Sequence, residues 1–80
     1  MAQLTGNQFR AARVLAELEQ KALAAAAGVN VNTIRRLEAF GGRPIEANTA
    51  TVRKVQNALE AAGVEFTNGD APGVRLRKGT

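Results

Sequence analysis

Apolar residues recur at intervals of three and four along the first sixty positions of the chain and then alternate with polar residues. This change of period predicts helices followed by strands. The first apolar stripe consists of Phe9, Ala12 and Ala16, and it predicts a helix from near Gly6 to about Leu18. At its start, Thr5 and Gln8 have the spacing of a capping box, in which each side chain bonds the backbone amide of the other residue.

The segment from Gln20 to Glu38 contains two short helical patterns that meet at Gly28-Val29-Asn30. Gly28 can take the positive φ that ends a helix, and Asn30 can cap the helix that follows. The residues with the spacing of buried stripes are Leu23, Ala24 and Ala27, then Ile34 and Leu37. Two helices joined by so short a turn form a helix-turn-helix. The residues of the second helix that then face outward are Val31, Asn32, Arg35 and Arg36.

Five features of this segment stand at a characteristic spacing: Gln20, Leu23-Ala24, Gly28-Val29, Thr33-Ile34 and Leu37-Glu38. Through them the chain resembles the Xre family, the Cro and cI repressor-like DNA-binding domains, over about Gln8 to Leu59. The resemblance implies a mostly α fold, a lambda-repressor-like bundle of about four helices. It also implies that the helix from Val31 to Phe40 enters the major groove of DNA.

The resemblance assigns roles to two scaffold positions and to the start of the second helix. It pairs Arg13 with Glu38 in a structural salt bridge between the first and third helices; the alternative is that Arg13 extends to solvent. Gln20 lies where the family touches DNA phosphate or a base edge, although it could also be an ordinary exposed glutamine. Glu19 replaces the usual Ser or Thr, so we expect a weaker cap there.

The outward residues of the second helix suit base recognition. Asparagine can pair with adenine and arginine with guanine, and valine offers an apolar surface to a thymine methyl group. Because Arg36 follows Asn32 by one helical turn, we predict that Arg36 reads guanine. The predicted base contacts are Val31, Asn32, Arg35, Arg36 and Gln20, and the predicted phosphate contacts are Lys21, Asn30, Arg43 and Arg53. The alternative is a solvated helix face that happens to contain two arginines.

Beyond Phe40, two glycines and Pro44 predict a loop over residues 41–47. The resemblance places phosphate contacts near Arg43 in this loop. Asn48 or Thr49 is expected to cap a further helix that ends at Gly63. The apolar positions of that helix are Val52, Val55, Leu59 and Ala62.

Alternation over residues 64–67 and 74–77 predicts a C-terminal β-hairpin with its turn at residues 68–73. One face would carry Val64, Phe66, Val74 and Leu76, and the other Glu65, Arg75 and Arg77. Because a lone hairpin is marginally stable in water, the apolar face must pack on the helices or pair with a second copy. Those four apolar residues are therefore the candidate dimerisation element. We expect one domain over residues 1–80, in which residues 1–63 form the helical DNA-binding unit, residues 64–77 the hairpin and residues 78–80 a disordered tail.

Composition narrows the choice of function. The 80 residues include 45% hydrophobic side chains but only three Phe, no Cys and no His. A disulfide framework and a thiolate metal site are thereby excluded, and the commonest general base is missing. Carboxylates are scattered, so we expect no catalytic residues, no metal and no cofactor. With neither the regions of a signal peptide nor a run of 18 apolar residues, a cytoplasmic location is expected.

The net charge of +4 and a pI near 10.8 suit a polyanionic partner. We therefore predict a sequence-specific double-stranded DNA-binding transcriptional regulator. A homodimer is expected, at least on DNA, because one recognition helix reads too few base pairs to discriminate within a genome. The alternative is a helix-turn-helix that binds a protein partner, as an antitoxin or anti-activator does. A module that no longer met DNA would be expected to lose cations such as Arg35 and Arg36.

Overall fold

The computed structural model describes residues 4–67 and 72–77. These stretches fold into four helices followed by two strands: α1 (Gly6–Leu15), α2 (Gln20–Ala27), α3 (Val31–Glu38), α4 (Thr49–Ala61), β1 (Val64–Thr67) and β2 (Gly73–Leu76). The predicted fold class, a mostly α bundle with a C-terminal hairpin, is confirmed. The predicted tail, 78–80, and most of the predicted turn lie outside the described residues.

One apolar cluster joins all four helices and the first strand. Its buried members are Phe9, Ala12, Leu23, Ala24, Ile34, Leu37, Val55, Leu59 and Val64. Except for Phe9 these side chains are aliphatic, as the composition predicts. Ala62, which was expected on the inner face of α4, is instead exposed, because α4 ends one residue before it.

Helix α1 begins as predicted and ends earlier than predicted. The capping box is present, since Gln8 N donates to Thr5 Oγ1 at 3.2 Å and Thr5 N donates to Gln8 Oε1 at 2.9 Å. The expected continuation to Leu18 is wrong, because Glu17 takes a left-handed conformation with φ 57°. The amides of Glu17 and Leu18 then bond the carbonyls of Val14 and Arg13, both at 3.0 Å. This is a Schellman motif, which usually has glycine where this chain has glutamate.

Helix α3 ends at Glu38 rather than at Phe40, because the chain tightens into three-residue turns. Phe40 N donates to the carbonyl of Leu37 at 3.3 Å, and Gly41 N to that of Glu38 at 3.1 Å. Helix α4 begins at the predicted cap and ends at Ala61, one residue before Ala62. Asn48 Oδ1 accepts from Ala50 N at 2.8 Å, and beyond the helix Gly63 has φ 98°.

The start of α1 lies against the end of α3, and a glycine makes this approach feasible. A Cβ built on Gly6 would stand 2.6 Å from Gly41 N and 2.7 Å from Leu37 O. Next to it, Asn7 N donates to Gly41 O at 2.8 Å. Gly6 therefore sets how closely the helix-turn-helix packs on α1.

The hairpin packs on the helices of its own chain. Strands β1 and β2 are antiparallel, with Val64 opposite Leu76 and Phe66 opposite Val74. Val64 is 1% exposed, and Phe66 meets Phe9 edge to face with ring centroids 5.7 Å apart. Val74 is half-buried against the core, whereas Leu76 is 49% exposed.

Of the two alternatives left open by the sequence, the hairpin takes packing on the helices of its own chain, which buries Val64 and half-buries Phe66 and Val74. The physical reason is that Phe9 of α1 supplies the apolar partner that Phe66 would otherwise need from a second copy. Pairing of the candidate dimerisation element with a second copy stays a prediction. Of the four residues, only Leu76 faces solvent.

Gln8 ties the hairpin to α1. The residue is 4% exposed, and its Nε2 donates to the carbonyls of Thr67 and Gly73, each at 3.2 Å. These carbonyls belong to a facing pair at the turn end of the two strands. One amide thus caps α1 and holds both strands. The spacing of the capping box predicted the first role and offered no sign of the second.

Candidate nucleic-acid interface

A short turn sets the position of α3 relative to α2. Gly28 has φ 71°, and the following amide, Val29 N, donates to Ala24 O at 3.0 Å. Asn30 then caps α3, its Oδ1 accepting from Asn32 N at 2.7 Å. The predicted roles of Gly28 and Asn30 in the turn are confirmed, and Val29 packs against the core. As expected for Glu19, its side chain makes no capping hydrogen bond to α2.

Helix α3 has one buried face and one exposed face. Ile34 and Leu37 are 1% and 2% exposed, so they anchor the helix to the core. Asn32, Arg35 and Arg36 are exposed, as predicted. Val31 departs from the prediction, because it lies at the edge of the buried face and is half-buried against the core.

An ion pair fixes α3 to α1. Arg13 Nε donates to Glu38 Oε2 at 2.7 Å, and Nη2 donates to Oε1 at 3.2 Å. A third bond joins Nη1 to the carbonyl of Leu18 at 3.1 Å. The two side chains are 16% and 8% exposed. The pairing implied by the resemblance is thus present, in the two-pronged geometry that only arginine offers a carboxylate.

Gln20 lies between this ion pair and the exposed face of α3. Its Nε2 donates to Glu38 Oε1 at 3.2 Å, and its Oε1 accepts from Arg35 Nε at 3.4 Å. Arg35 Nη1 also donates to Asn32 Oδ1 at 3.1 Å. These hydrogen bonds form a continuous network from Glu38 through Gln20 and Arg35 to Asn32. The sequence predicted Gln20 as a base contact. It gave no sign of these internal partners, because Gln20 belongs to α2 and its partners belong to α3.

The residues predicted to contact phosphate differ in how they are held. Lys21, at the start of α2, and Arg53, in α4, are exposed. Asn30 uses its side-chain oxygen to cap α3, which leaves its amide nitrogen to donate. Arg43 Nε donates to Phe40 O at 3.4 Å, and its guanidinium carbon lies 5.5 Å from the centre of the Phe40 ring.

Lys21 and Arg35 share one shallow surface depression, together with Arg13, Glu19 and Gln20. The depression joins the start of α2 to the exposed face of α3, and the ion pair neutralises Arg13 within it. Arg36 has no hydrogen-bonding partner within the described residues. The depression therefore holds the cations Lys21 and Arg35 beside the carboxylate of Glu19, and Arg36 lies outside its lining on the exposed face of α3.

Over residues 4–67 and 72–77, no group of three or more His, Cys, Asp or Glu side chains is placed to hold a metal ion. Within the same stretches, no helix is long and apolar enough to cross a membrane. The chain matches no model of a known protein family, and no curated protein is similar enough in sequence to count as a match.

Proposed function

We propose that this chain is a sequence-specific double-stranded DNA-binding regulator of transcription, acting in the cytoplasm, of the Xre class that its sequence resembles. One observation carries the proposal: α3 is anchored through Ile34 and Leu37 and presents two arginines and an asparagine on its opposite face. The major groove is about 12 Å wide and admits an α-helix. A helix held by one face can therefore offer the other to base edges.

Residues around α3 can supply the contacts that orient it. Lys21 lines the same depression as Arg35 of α3, and Arg43 follows α3 in sequence. Cations in such flanking positions bind phosphate and set the register of the protein without reading sequence. The contacts of Arg43 with Phe40 limit the freedom that its guanidinium would lose on binding.

The test is selection of bound duplexes from a random pool, followed by affinity measurements at several salt concentrations. We expect a defined preference. The logarithm of the association constant should fall linearly with the logarithm of salt, by about 0.9 per phosphate neutralised. Equal affinity for every duplex would refute the proposal.

Arg43→Ala tests the phosphate role within the same assay. It should weaken all duplexes alike and reduce the salt slope by about one. The matched control is Arg75→Ala, which removes the same charge from the hairpin, where Arg75 is paired with Glu65 at 2.6 Å. An unchanged slope in Arg43→Ala would show that Arg43 does not touch phosphate.

Dimerisation on DNA remains within the proposal, because one helix covers too few base pairs for genomic discrimination. Within the hairpin, Leu76 is the apolar residue most exposed for such a contact. Light scattering with and without the selected duplex measures the state directly. Two chains per duplex with inverted half-sites are expected, and a single chain on a single half-site would contradict the expectation.

The second candidate function is a protein-interaction module, and exposed apolar residues on α1 favour it. Val14 is 61% exposed and Leu15 is 37% exposed, next to each other in sequence. Exposed apolar side chains can take part in protein contacts where they belong to a larger apolar patch. An absence of duplex preference, combined with binding of a different protein that Val14→Asp abolishes, would favour this candidate over DNA binding.

A further inference from the structure

Arg35 is restrained although its side chain is exposed. Its Nε bonds Gln20 at 3.4 Å on α2, and its Nη1 bonds Asn32 at 3.1 Å one turn earlier on α3. An exposed arginine ordinarily samples many rotamers and loses that freedom when it binds. Arg36, the next residue, has no such bonds within the described stretches of the chain. The two neighbouring arginines therefore differ in the contacts that can order them before any ligand arrives.

The direction of the Gln20 amide follows from its neighbours. Glu38 is a carboxylate and can only accept, so it takes the amide nitrogen of Gln20 at 3.2 Å. The amide oxygen is then left to accept from Arg35, whose guanidinium can only donate. A carboxylate at position 20 would repel Glu38, and a cation would repel Arg35. An amide satisfies both neighbours at once.

The restraint leaves Arg35 able to bind a base. A guanidinium has five N–H groups, and the bonds to Gln20 and Asn32 use two of them. Nη2 donates to no atom among the described residues, and Nη1 keeps one hydrogen. Three N–H groups, one on Nη1 and two on Nη2, therefore stay free to donate, and guanine offers O6 and N7 as acceptors for two such donors.

We propose that Arg35, rather than Arg36, reads a guanine, and that Gln20 is a positioning residue for Arg35 rather than a base contact. The proposal rests on the proposed DNA-binding function and assigns roles within its interface. Gln20 acts through the guanidinium that it orients. Arg36 contributes charge to the affinity for all duplexes.

Arg35→Ala and Arg36→Ala form a matched pair, since each removes one exposed arginine from the same helix. Affinities are measured for the selected duplex and for each of its single-base variants. Arg35→Ala should abolish the preference for guanine at one position, a loss of about 5- to 150-fold in discrimination. Arg36→Ala should weaken all duplexes and keep that preference. The reverse result would overturn the assignment.

Gln20→Met keeps the length of the side chain and removes both of its bonds. It should lower discrimination at the same guanine position by about 2- to 10-fold, because Arg35 must then be ordered on binding. In the Arg35→Ala background, Gln20→Met should change nothing further in the preference profile. Additive effects, or a lost preference at a second position, would show that Gln20 contacts a base itself. Gln20→Ala serves in its place if the methionine variant melts at a much lower temperature than the parent chain.

A measurement on the free protein separates positioning from DNA binding. Nuclear magnetic relaxation of the side-chain Nε–Hε groups should give a higher order parameter for Arg35 than for Arg36, and Gln20→Met should remove the difference. Equal mobility in the parent chain would overturn the positioning role even if DNA binding holds. If the parent chain prefers no duplex, the proposed function and the guanine assignment both fail, and the relaxation data still decide the role of Gln20.

Discussion

Replacing Gln8 tests whether the hairpin is held by one buried amide. Gln8→Ala removes three side-chain hydrogen bonds: one from Thr5 N at 2.9 Å, and those to the carbonyls of Thr67 and Gly73 at 3.2 Å. The backbone groups that lose these partners are partly buried, and Gln8 itself is 4% exposed.

The expected loss follows from the number of bonds. Each hydrogen bond contributes about 0.5 to 1.5 kcal/mol net, and an unsatisfied buried group costs about 1 to 3 kcal/mol. We therefore expect Gln8→Ala to lower the free energy of unfolding by about 2 to 4 kcal/mol. A chain of this length has roughly 4 to 12 kcal/mol in total. The midpoint of thermal unfolding should fall by roughly 10 to 25 °C.

Urea unfolding followed by circular dichroism measures the loss. The matched control is Gln56→Ala, since Gln56 is a half-buried glutamine whose amide bonds only Glu60, one turn along α4, at 3.3 Å. That pair is worth about 0.2 to 0.5 kcal/mol. A loss of similar size in the two variants would contradict the structural role of Gln8.

Gln8→Glu separates the local cap from the contacts with the hairpin. A carboxylate still accepts from Thr5 N and suits a helix start, so the capping box alone predicts no loss. The carboxylate, however, places a negative charge where the amide donated to the two carbonyls. We therefore expect Gln8→Glu to lower the free energy of unfolding at pH 7 by at least as much as Gln8→Ala. Burial beside carbonyl oxygens raises the pKa of the introduced carboxyl above its unfolded value. The difference in free energy of unfolding between Gln8→Glu and the parent chain should therefore shrink as the pH falls toward that unfolded pKa. Full stability of Gln8→Glu at pH 7 would refute the reasoning.

Three further substitutions test the ends of the helices, each by urea or thermal unfolding. Gly6→Ala places a methyl group 2.6 to 2.8 Å from backbone atoms at the end of α3, and it should lower the free energy of unfolding by about 1 to 3 kcal/mol. Its control is Gly42→Ala, whose Cβ would meet only a side-chain nitrogen at 3.7 Å and which should be nearly neutral. Glu17→Gly should raise stability by about 0.5 to 1 kcal/mol, because it relieves a left-handed glutamate with φ 57°; a decrease would contradict this account of the Schellman motif. Asn48→Ala should cost about 1 kcal/mol, because it removes the acceptor for two amides of α4, and Asn48→Asp, which keeps an acceptor, should not.

Local signals in the sequence were sufficient for most of the fold. The period of apolar residues predicted α2, α3 and α4, and the turn residues Gly28, Asn30 and Asn48 marked their ends. The end of α1 was predicted wrongly, because Glu17 takes a conformation for which the sequence offers no glycine as a signal. The close approach at Gly6 was equally hidden, since its reason is a backbone segment distant in the sequence, at the end of α3.

The candidate interface was only partly predictable, because some of its hydrogen bonds join residues of different helices. Outward positions on α3 follow from helical periodicity, so Asn32, Arg35 and Arg36 were found. Val31 was misplaced because a residue at the margin of a helical stripe can fall on either side of it. Which of the two arginines makes hydrogen bonds within the protein could not be predicted, because one of those bonds depends on Gln20 reaching across from α2.

Both glutamines that the sequence singled out lie in the first turn of a helix, and both connect that helix to another element. Gln8 reaches the hairpin through its amide nitrogen, and Gln20 reaches Glu38 through its nitrogen and Arg35 through its oxygen. In each case one end of the amide is committed to a partner that can only accept, so the remaining end is determined by elimination. Gln8 uses both amide hydrogens in this way, whereas Gln20 keeps one, and the direction of its amide is set by Glu38 and Arg35. For that reason Gln20 should affect base preference through Arg35, at the same position of the duplex and at no other.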